Sequence, residues 1–167
     1  MRQRKITMKN IIEKFHFVVL AGKEGIEREV TTSSLSRAGL VLAGYTNYYP
    51  ANRIQILGKT ELSFLAQLPQ NIRIERFTGM CHENTPGIIF SRNLPVPPEF
   101  IEIGEKLQIP LLSARGKTTR VASRLTNYLE SMFAPFTAMH GVLVDIYGMG
   151  VLITGKSGVG KSETALE

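Results

Sequence analysis

Eight consecutive residues carry the sequence's clearest chemical signal. Gly155-Lys156-Ser157-Gly158-Val159-Gly160-Lys161-Ser162 satisfies the pattern G-x-x-x-x-G-K-[ST]. In such a loop the glycines let the backbone wrap a polyphosphate without Cβ clashes, so that successive N–H groups form an anion nest. Lys161 supplies a mobile positive charge for the β- and γ-phosphates, and the Ser162 hydroxyl is a ligand for Mg²⁺. With glycine at about 7% of residues, such a match arises by chance in roughly one chain in a hundred of this length. A strand before the loop and a helix after it lower that several-fold. The chemistry indicated is polyphosphate binding, and the loop alone does not choose among ATPase, GTPase and kinase.

Two further Gly-Lys-hydroxyl triplets, Gly58-Lys59-Thr60 and Gly116-Lys117-Thr118, lack the first glycine of the pattern, having Arg53 and Leu111 in its place. They are read as accidental, and only the third loop is expected in a strand-to-helix context. His140 precedes an apolar, β-branched run. At a strand start a histidine is as readily structural as chemical; the chemical version sets it near the transferred phosphate as acid, base or charge stabiliser. His16, on an apolar helix face, and His82, in a polar turn, read as structural or solvated. Neither has metal-ligand spacing with Cys81, so no zinc site is assigned.

The elements that must hold these residues are set by periodicity. Residues 142–146 and 151–154 are apolar strands separated by Tyr147-Gly148-Met149-Gly150, whose two glycines suit the positive φ values of a tight hairpin. The second strand feeds the loop, the first is expected to run beside it, and residues 163–167 begin the departing helix. Upstream, Met8, Ile11, Ile12 and Phe15 predict a helix over 8–17. Short strands are expected at 17–20 and 26–30 around a turn at 21–25, residues 31–34 are placed to cap the next element, and 37–50 read as loop and turn. Residues 53–57 predict a buried strand, 61–68 a helix ended by Pro69, and 88–90 a strand. A helix over 98–106, a short strand over 110–113 and a long helix over 118–133, broken by Ala134-Pro135, complete the pattern. This alternation predicts an α/β domain with a largely parallel sheet. A boundary near 131–136 gives an amino-terminal α/β domain over 1–132 and the incomplete start of a loop-bearing domain over 133–167.

Composition narrows the setting. The 167 residues are 43% hydrophobic and 20% charged with a mean hydropathy of zero, which excludes disordered and fibrous classes. The one cysteine, Cys81, cannot form an internal disulfide, and no signal peptide or long apolar run is visible; the expected place is the cytoplasm, not a membrane. Twenty Lys and Arg against 14 acids give a formal charge of +6. The basic residues gather only at Arg2, Arg4, Lys5 and Lys9, and at Arg115, Lys117, Arg120 and Arg124. A solvated face explains each cluster more simply than a polyanion site, and nucleic acid is not an expected partner. Thirteen of the 14 acids are glutamate, and Asp145 is the single aspartate.

At Ala134-Pro135, at His140-Gly141-Val142-Leu143-Val144-Asp145, and through the loop into Ser162-Glu163-Thr164-Ala165-Leu166-Glu167, the sequence closely resembles the bacterial HPr kinase/phosphorylase family. There a histidine-glycine pair precedes a loop of the form G-x-S-G-x-G-K-S-E-T-A-L-E. Ser36-Arg37-Ala38-Gly39-Leu40, Gly44-Tyr45 and Arg53-Ile54-Gln55-Ile56-Leu57-Gly58 look like the family's amino-terminal domain, so the resemblance spans nearly the whole chain. It implies a bifunctional serine kinase and phosphorylase: ATP or pyrophosphate phosphorylates a regulatory serine on the phosphocarrier HPr, inorganic phosphate reverses this, and carbon catabolite control is the output. It further implies a cytoplasmic hexamer, Mg²⁺ as cofactor, an amino-terminal domain similar to the substrate domain of Mur ligases and a kinase domain similar to phosphoenolpyruvate carboxykinase. By position, His140 and Lys161 correspond to active-site residues, residues 155–162 to the nucleotide loop, and Ser162 to a Mg²⁺ ligand.

Departures are small: Ala38 replaces a frequent proline, and Lys156 stands where an acid is common. The family's catalytic base is an aspartate downstream of the loop, and Asp145 precedes it. The expectation is that these residues are the leading part of a longer enzyme and inactive alone. A second reading treats the amino-terminal domain as a ligand-sensing or assembly module, with the nucleotide-binding loop performing no catalysis of its own.

Overall fold

The computed structural model describes residues 5–136 and 139–166; Arg2, Arg4 and Glu167 lie outside the described residues. In chain order the elements are β1 (Ile6–Thr7), α1 (Met8–Phe15), β2 (Val18–Ala21), β3 (Glu29–Val30), β4 (Leu35–Arg37), α2 (Gly39–Leu42), β5 (Ile54–Leu57), α3 (Lys59–Ala66), α4 (Gln70–Thr78), β6 (Ile88–Phe90), α5 (Pro98–Leu107), β7 (Leu111–Ser113) and α6 (Thr118–Phe133). They continue with β8 (Gly141–Ile146), β9 (Met149–Thr154) and α7 (Lys161–Thr164). Contacts divide the described chain into a larger unit that ends at Ala134 and a smaller one that begins at Pro135.

In the larger unit the strand sequences explain the layers. β5, β6 and β7 are buried along their whole length, as expected of parallel strands covered on both faces. The sheet order is β2-β7-β6-β5-β4, with β4 to β7 mutually parallel and β2 antiparallel to β7 at the edge. This is an α/β fold with a mixed, largely parallel sheet. Strands added in one direction through crossovers of one hand place their helices on one face. Accordingly Val41, Leu42, Leu65, Phe77 and Phe100 from α2 to α5 pack with Leu57, Ile88, Phe90 and Leu111. Phe77 and Phe100 stack there at 3.9 Å between ring centroids. The alternate strand residues Ile54, Ile56, Ile89 and Leu112 face Met8 and Ile11 of α1 and Val121, Leu125 and Leu129 of α6.

Several expectations change. Only Glu29–Val30 of the expected strand over 26–30 is extended; Lys23–Glu27 forms a 3-10 helix where a turn was expected to end. Residues 31–34 precede an edge strand, β4, held by its register with β5, and part of the supposed loop at 37–50 is the short helix α2. Pro69 does not end α3, which stops at Ala66, but stands immediately before α4, a place where proline's missing N–H costs nothing. In the hairpin, the positive φ values belong to Tyr147 (49°) and Gly148 (82°), while Gly150 lies within β9.

The strand-to-helix context is not confined to the third loop. Gly58-Lys59-Thr60 joins β5 to α3, and Gly116-Lys117-Thr118 lies between β7 and α6. At the first of these the role of an anion is filled internally: Glu61 Oε2 accepts the Gly58 N–H at 2.8 Å, and Glu61 Oε1 accepts from Arg37 Nη2 at 2.8 Å. Burial of the Glu61 carboxyl pushes its pKa up, but the N–H groups of Glu61 and Gly58 and the Arg37 guanidinium outweigh this and hold it below the ordinary carboxylate value. A Cβ on Gly58 would stand 2.4 Å from Thr118 Oγ1, which itself bonds Ser91 Oγ at 2.7 Å, so Thr118 packs closely against this glycine.

Candidate functional site

The smaller unit is built on one two-stranded ladder. β8 and β9 pair antiparallel from Gly141 opposite Thr154 to Ile146 opposite Met149, joined by the two-residue turn Tyr147-Gly148. Left-handed φ at both turn residues is the geometry whose twist matches the flanking strands. Asp145 Oδ1 accepts the Gly148 N–H at 2.8 Å and so closes the turn. The register has a consequence at the other end of the ladder. Because Gly141 faces Thr154, His140 stands beside the place where β9 gives way to Gly155.

A cleft of about 790 Å³ lies there, lined by His140, Gly141, Gly155, Lys156, Ser157, Gly158, Gly160, Lys161, Ser162 and Glu163. Seven of the eight motif residues therefore border one space with His140. Val159 does not; its side chain is exposed and approaches Gly155, where a Cβ would come within 3.2 Å of Val159 Cγ2. Gly158 and Gly160 have φ of 81° and 80°, values that side chains other than glycine adopt only with strain. Among the described residues none accepts a hydrogen bond from the backbone N–H groups of residues 157–160. Gly160 then caps α7, its carbonyl accepting from Thr164 Oγ1 at 3.0 Å.

Lys161 Nζ donates to the carbonyl oxygens of Gly155, at 3.0 Å, and Lys156, at 2.6 Å, so the cation is already folded over the loop. His140 is exposed and makes no hydrogen bond to another described residue. The hydroxyl of Ser162 has no partner among the described residues either. Glu163, a lining residue that the motif reading named only as helix, is the cleft's one carboxylate among the described residues; its place directly after Ser162, in the first turn of α7, was the available signal. Asp145 is five strand residues from His140, about 16 Å at the usual rise per residue. Among the described residues no group of three or more His, Cys, Asp or Glu side chains is placed to hold a metal ion, and no helix is long and apolar enough to cross a membrane. The arrangement offers a nest of free N–H groups, a lysine, a hydroxyl and an imidazole around one opening, a set suited to holding phosphate oxygens.

Comparison with known proteins identifies the family. The family described as HPr Serine kinase N terminus matches residues 6–129, and the HPr Serine kinase C-terminal domain matches residues 131–167. The HPr kinase/phosphorylase of Bacillus velezensis is 58% identical over 98% of this chain and 53% of its own length. That of a Geobacillus species is 61% identical, over 98% of this chain and 52% of its own, and that of Bacillus subtilis 57%, over 98% and 53%. The chain spans about half the length of the curated relatives it matches. Matched over residues 6–129 and 131–167 by the two domain descriptions, the chain belongs to the HPr kinase/phosphorylase family.

Proposed function

We propose that residues 155–162 hold the phosphate chain of ATP or pyrophosphate in a bifunctional enzyme that phosphorylates a regulatory serine of the phosphocarrier HPr and removes that phosphate by phosphorolysis. The observation that carries this reading is the convergence of His140, Lys161 and Ser162 on one cleft at the end of the β8–β9 ladder. In the forward direction the serine oxygen attacks the terminal phosphorus and ADP, or phosphate when pyrophosphate is the donor, departs. In reverse, an oxygen of inorganic phosphate attacks the phosphoserine phosphorus, and serine and pyrophosphate are released.

The residues present fit a polyphosphate. Lys161 transfers its N–H donors from the neutral carbonyls of Gly155 and Lys156 to anionic phosphate oxygens, a stronger class of hydrogen bond. The N–H groups of the loop orient the chain. His140, at the start of β8, donates to an oxygen of the transferring group and offsets charge that develops there. The Ser162 hydroxyl would hold Mg²⁺, which when bound neutralises phosphate charge and aligns the leaving oxygen. Lys156 adds a cation to the rim. Asp145, committed to the Gly148 turn, is too distant to take the serine proton. That work falls to the part of the protein corresponding to the other half of its relatives.

In this reading the two units are domains, the larger similar to the substrate domain of Mur ligases and the smaller the opening of a phosphoenolpyruvate-carboxykinase-like kinase, assembled as a cytoplasmic hexamer. The test is to supply the whole protein with HPr, Mg²⁺ and ATP or pyrophosphate and to look for phosphoserine on HPr by mass spectrometry. Added inorganic phosphate is expected to remove it with release of pyrophosphate. Absence of phosphoserine with both donors contradicts the proposal.

A further inference from the structure

A second opening, in the larger unit, is independent of the loop. The edge strand β2 runs against β7, with Val18 opposite Ser113, so the α1–β2 connection returns across the carboxyl end of β7. Ligands of open α/β sheets occupy the crevice outside the carboxyl ends of the strands. Here that crevice is a cavity of about 340 Å³, walled by Phe15, Phe17, Val18 and Val121 and rimmed by His16, Asn93, Ser113, Arg115 and Arg124. Among the described residues that line it none is a carboxylate.

Its polar groups are left uncommitted in a particular way. Ser113 Oγ donates to Asn93 Oδ1 at 3.0 Å, which fixes the amide and leaves the Asn93 Nδ2 donors for something else. Arg124 lies over the Phe15 ring at 5.5 Å from its centroid, a contact that positions the guanidinium without using its N–H groups. Among the described residues neither Arg115 nor Arg124 has a hydrogen-bond or ion-pair partner. Elsewhere in the unit Arg37 is held by Glu61, Arg73 by Glu99, and Arg28 by the carbonyls of Gln108, Thr85 and Leu107, whereas Arg53, Arg76, Arg92 and Arg120 also lack a side-chain partner among the described residues; what distinguishes Arg115 and Arg124 is that both rim one cavity. Two free guanidinium groups, a fixed amide and an aromatic wall around one concavity select an anion that carries an apolar body.

We propose that this cavity binds a phosphorylated small molecule bearing a ring, the phosphate held by Arg115, Arg124 and the Asn93 amide and the ring against Phe17 and Val18. The basic stretch from Arg115 to Arg124, which a solvated helix face explained on sequence alone, becomes part of a binding site through its meeting with the α1–β2 connection.

The test uses isotope-labelled whole protein titrated with phenyl phosphate, inorganic phosphate and phenol, followed by NMR at the Asn93 side-chain amide and the Phe17 and Ser113 backbone amides. Phenyl phosphate is expected to shift these signals saturably and to bind about tenfold tighter than inorganic phosphate, the gain from burying a ring. Arg115→Gln, at an exposed position, weakens binding about fivefold or more without altering the remaining spectrum. Arg124→Gln does the same, and if it disturbs α6 the Arg115→Gln result decides. Lys161→Ala leaves the affinity unchanged, which separates this cavity from the loop. Shifts confined to residues 155–162, or equal affinity at Asn93 for wild type and Arg115→Gln, overturn the proposal.

Discussion

Lys161 donates to the Gly155 carbonyl oxygen at 3.0 Å, so the lysine near the end of the motif folds back on the glycine that opens it. The loop thus holds its own cation above the nest. Because the acceptors are neutral and exposed, an arriving phosphate competes for the ammonium with little to displace, and the loop needs no large rearrangement to receive it.

His140 is exposed, partnerless among the described residues and adjacent to Gly155 through the β8–β9 register. His140→Ala is expected to lower phosphoryl transfer to HPr in both directions by on the order of a hundredfold, the usual scale for one acid–base group. ATP affinity, followed by calorimetry, stays within about threefold of wild type, since positioning of the phosphate chain rests on the loop. An equal loss of binding and transfer makes His140 a structural residue.

Gly158 isolates the backbone contribution. An added Cβ there meets no atom within 4 Å, yet φ is 81°, so Gly158→Ala acts through conformational strain alone. The left-handed penalty of about 1 kcal/mol predicts about fivefold weaker pyrophosphate binding with an unchanged hairpin. Gly141→Ala makes the contrasting case: its Cβ would stand 2.7 Å from the Ile153 carbonyl oxygen, and the β8–β9 amide signals themselves should move.

The Arg37–Glu61–Gly58 bonds give the larger unit a predictable response to acid. Glu61 has its folded-state pKa lowered below the unfolded value, so its contribution is complete above the ordinary carboxylate range and is lost as pH falls through the lowered folded value. Glu61→Gln is expected to cost about 1–2 kcal/mol at neutral pH and to flatten the acid limb of the stability curve. Denaturant unfolding at a series of pH values measures both; parallel curves for wild type and variant contradict the assignment.

Cys81 permits a clean chemical check of the fold because it is the sole thiol. Burial pushes it up to about 12, with Arg28 pulling weakly the other way. At pH near 8 its alkylation by iodoacetamide, read by mass, should be slower than in the urea-unfolded chain by on the order of a hundredfold or more. Comparable rates place Cys81 outside the packed region.

How much of the fold was legible in the sequence depended on how local each cause is. α6 over Thr118–Phe133, the buried strands β5, β6 and β7, and the loop are written in contiguous apolar runs and glycine spacing. β4 is not: Leu35–Arg37 contains one large apolar residue and is a strand because it pairs with Ile54, Gln55 and Ile56. α4 escapes notice because Phe77 is its one fully buried side chain, while Arg73 is held by Glu99, twenty-six positions away, at 2.6 Å. The Gly58 and Gly116 triplets show the same limit from the other side. Their strand-to-helix setting imitates that of residues 155–162, and only the fold shows that the Gly58 N–H is already taken by the Glu61 carboxylate and the glycine packed against Thr118.

The central proposal is that residues 155–162 bind polyphosphate. Calorimetric titration of pyrophosphate with Mg²⁺ into the whole protein and its Lys161→Ala variant tests this, with unchanged circular dichroism showing that the fold persists. Loss of the charged hydrogen bonds predicts affinity lower by about 10- to 100-fold in the variant. Equal affinity in the two proteins contradicts the assignment of the loop as the phosphate site.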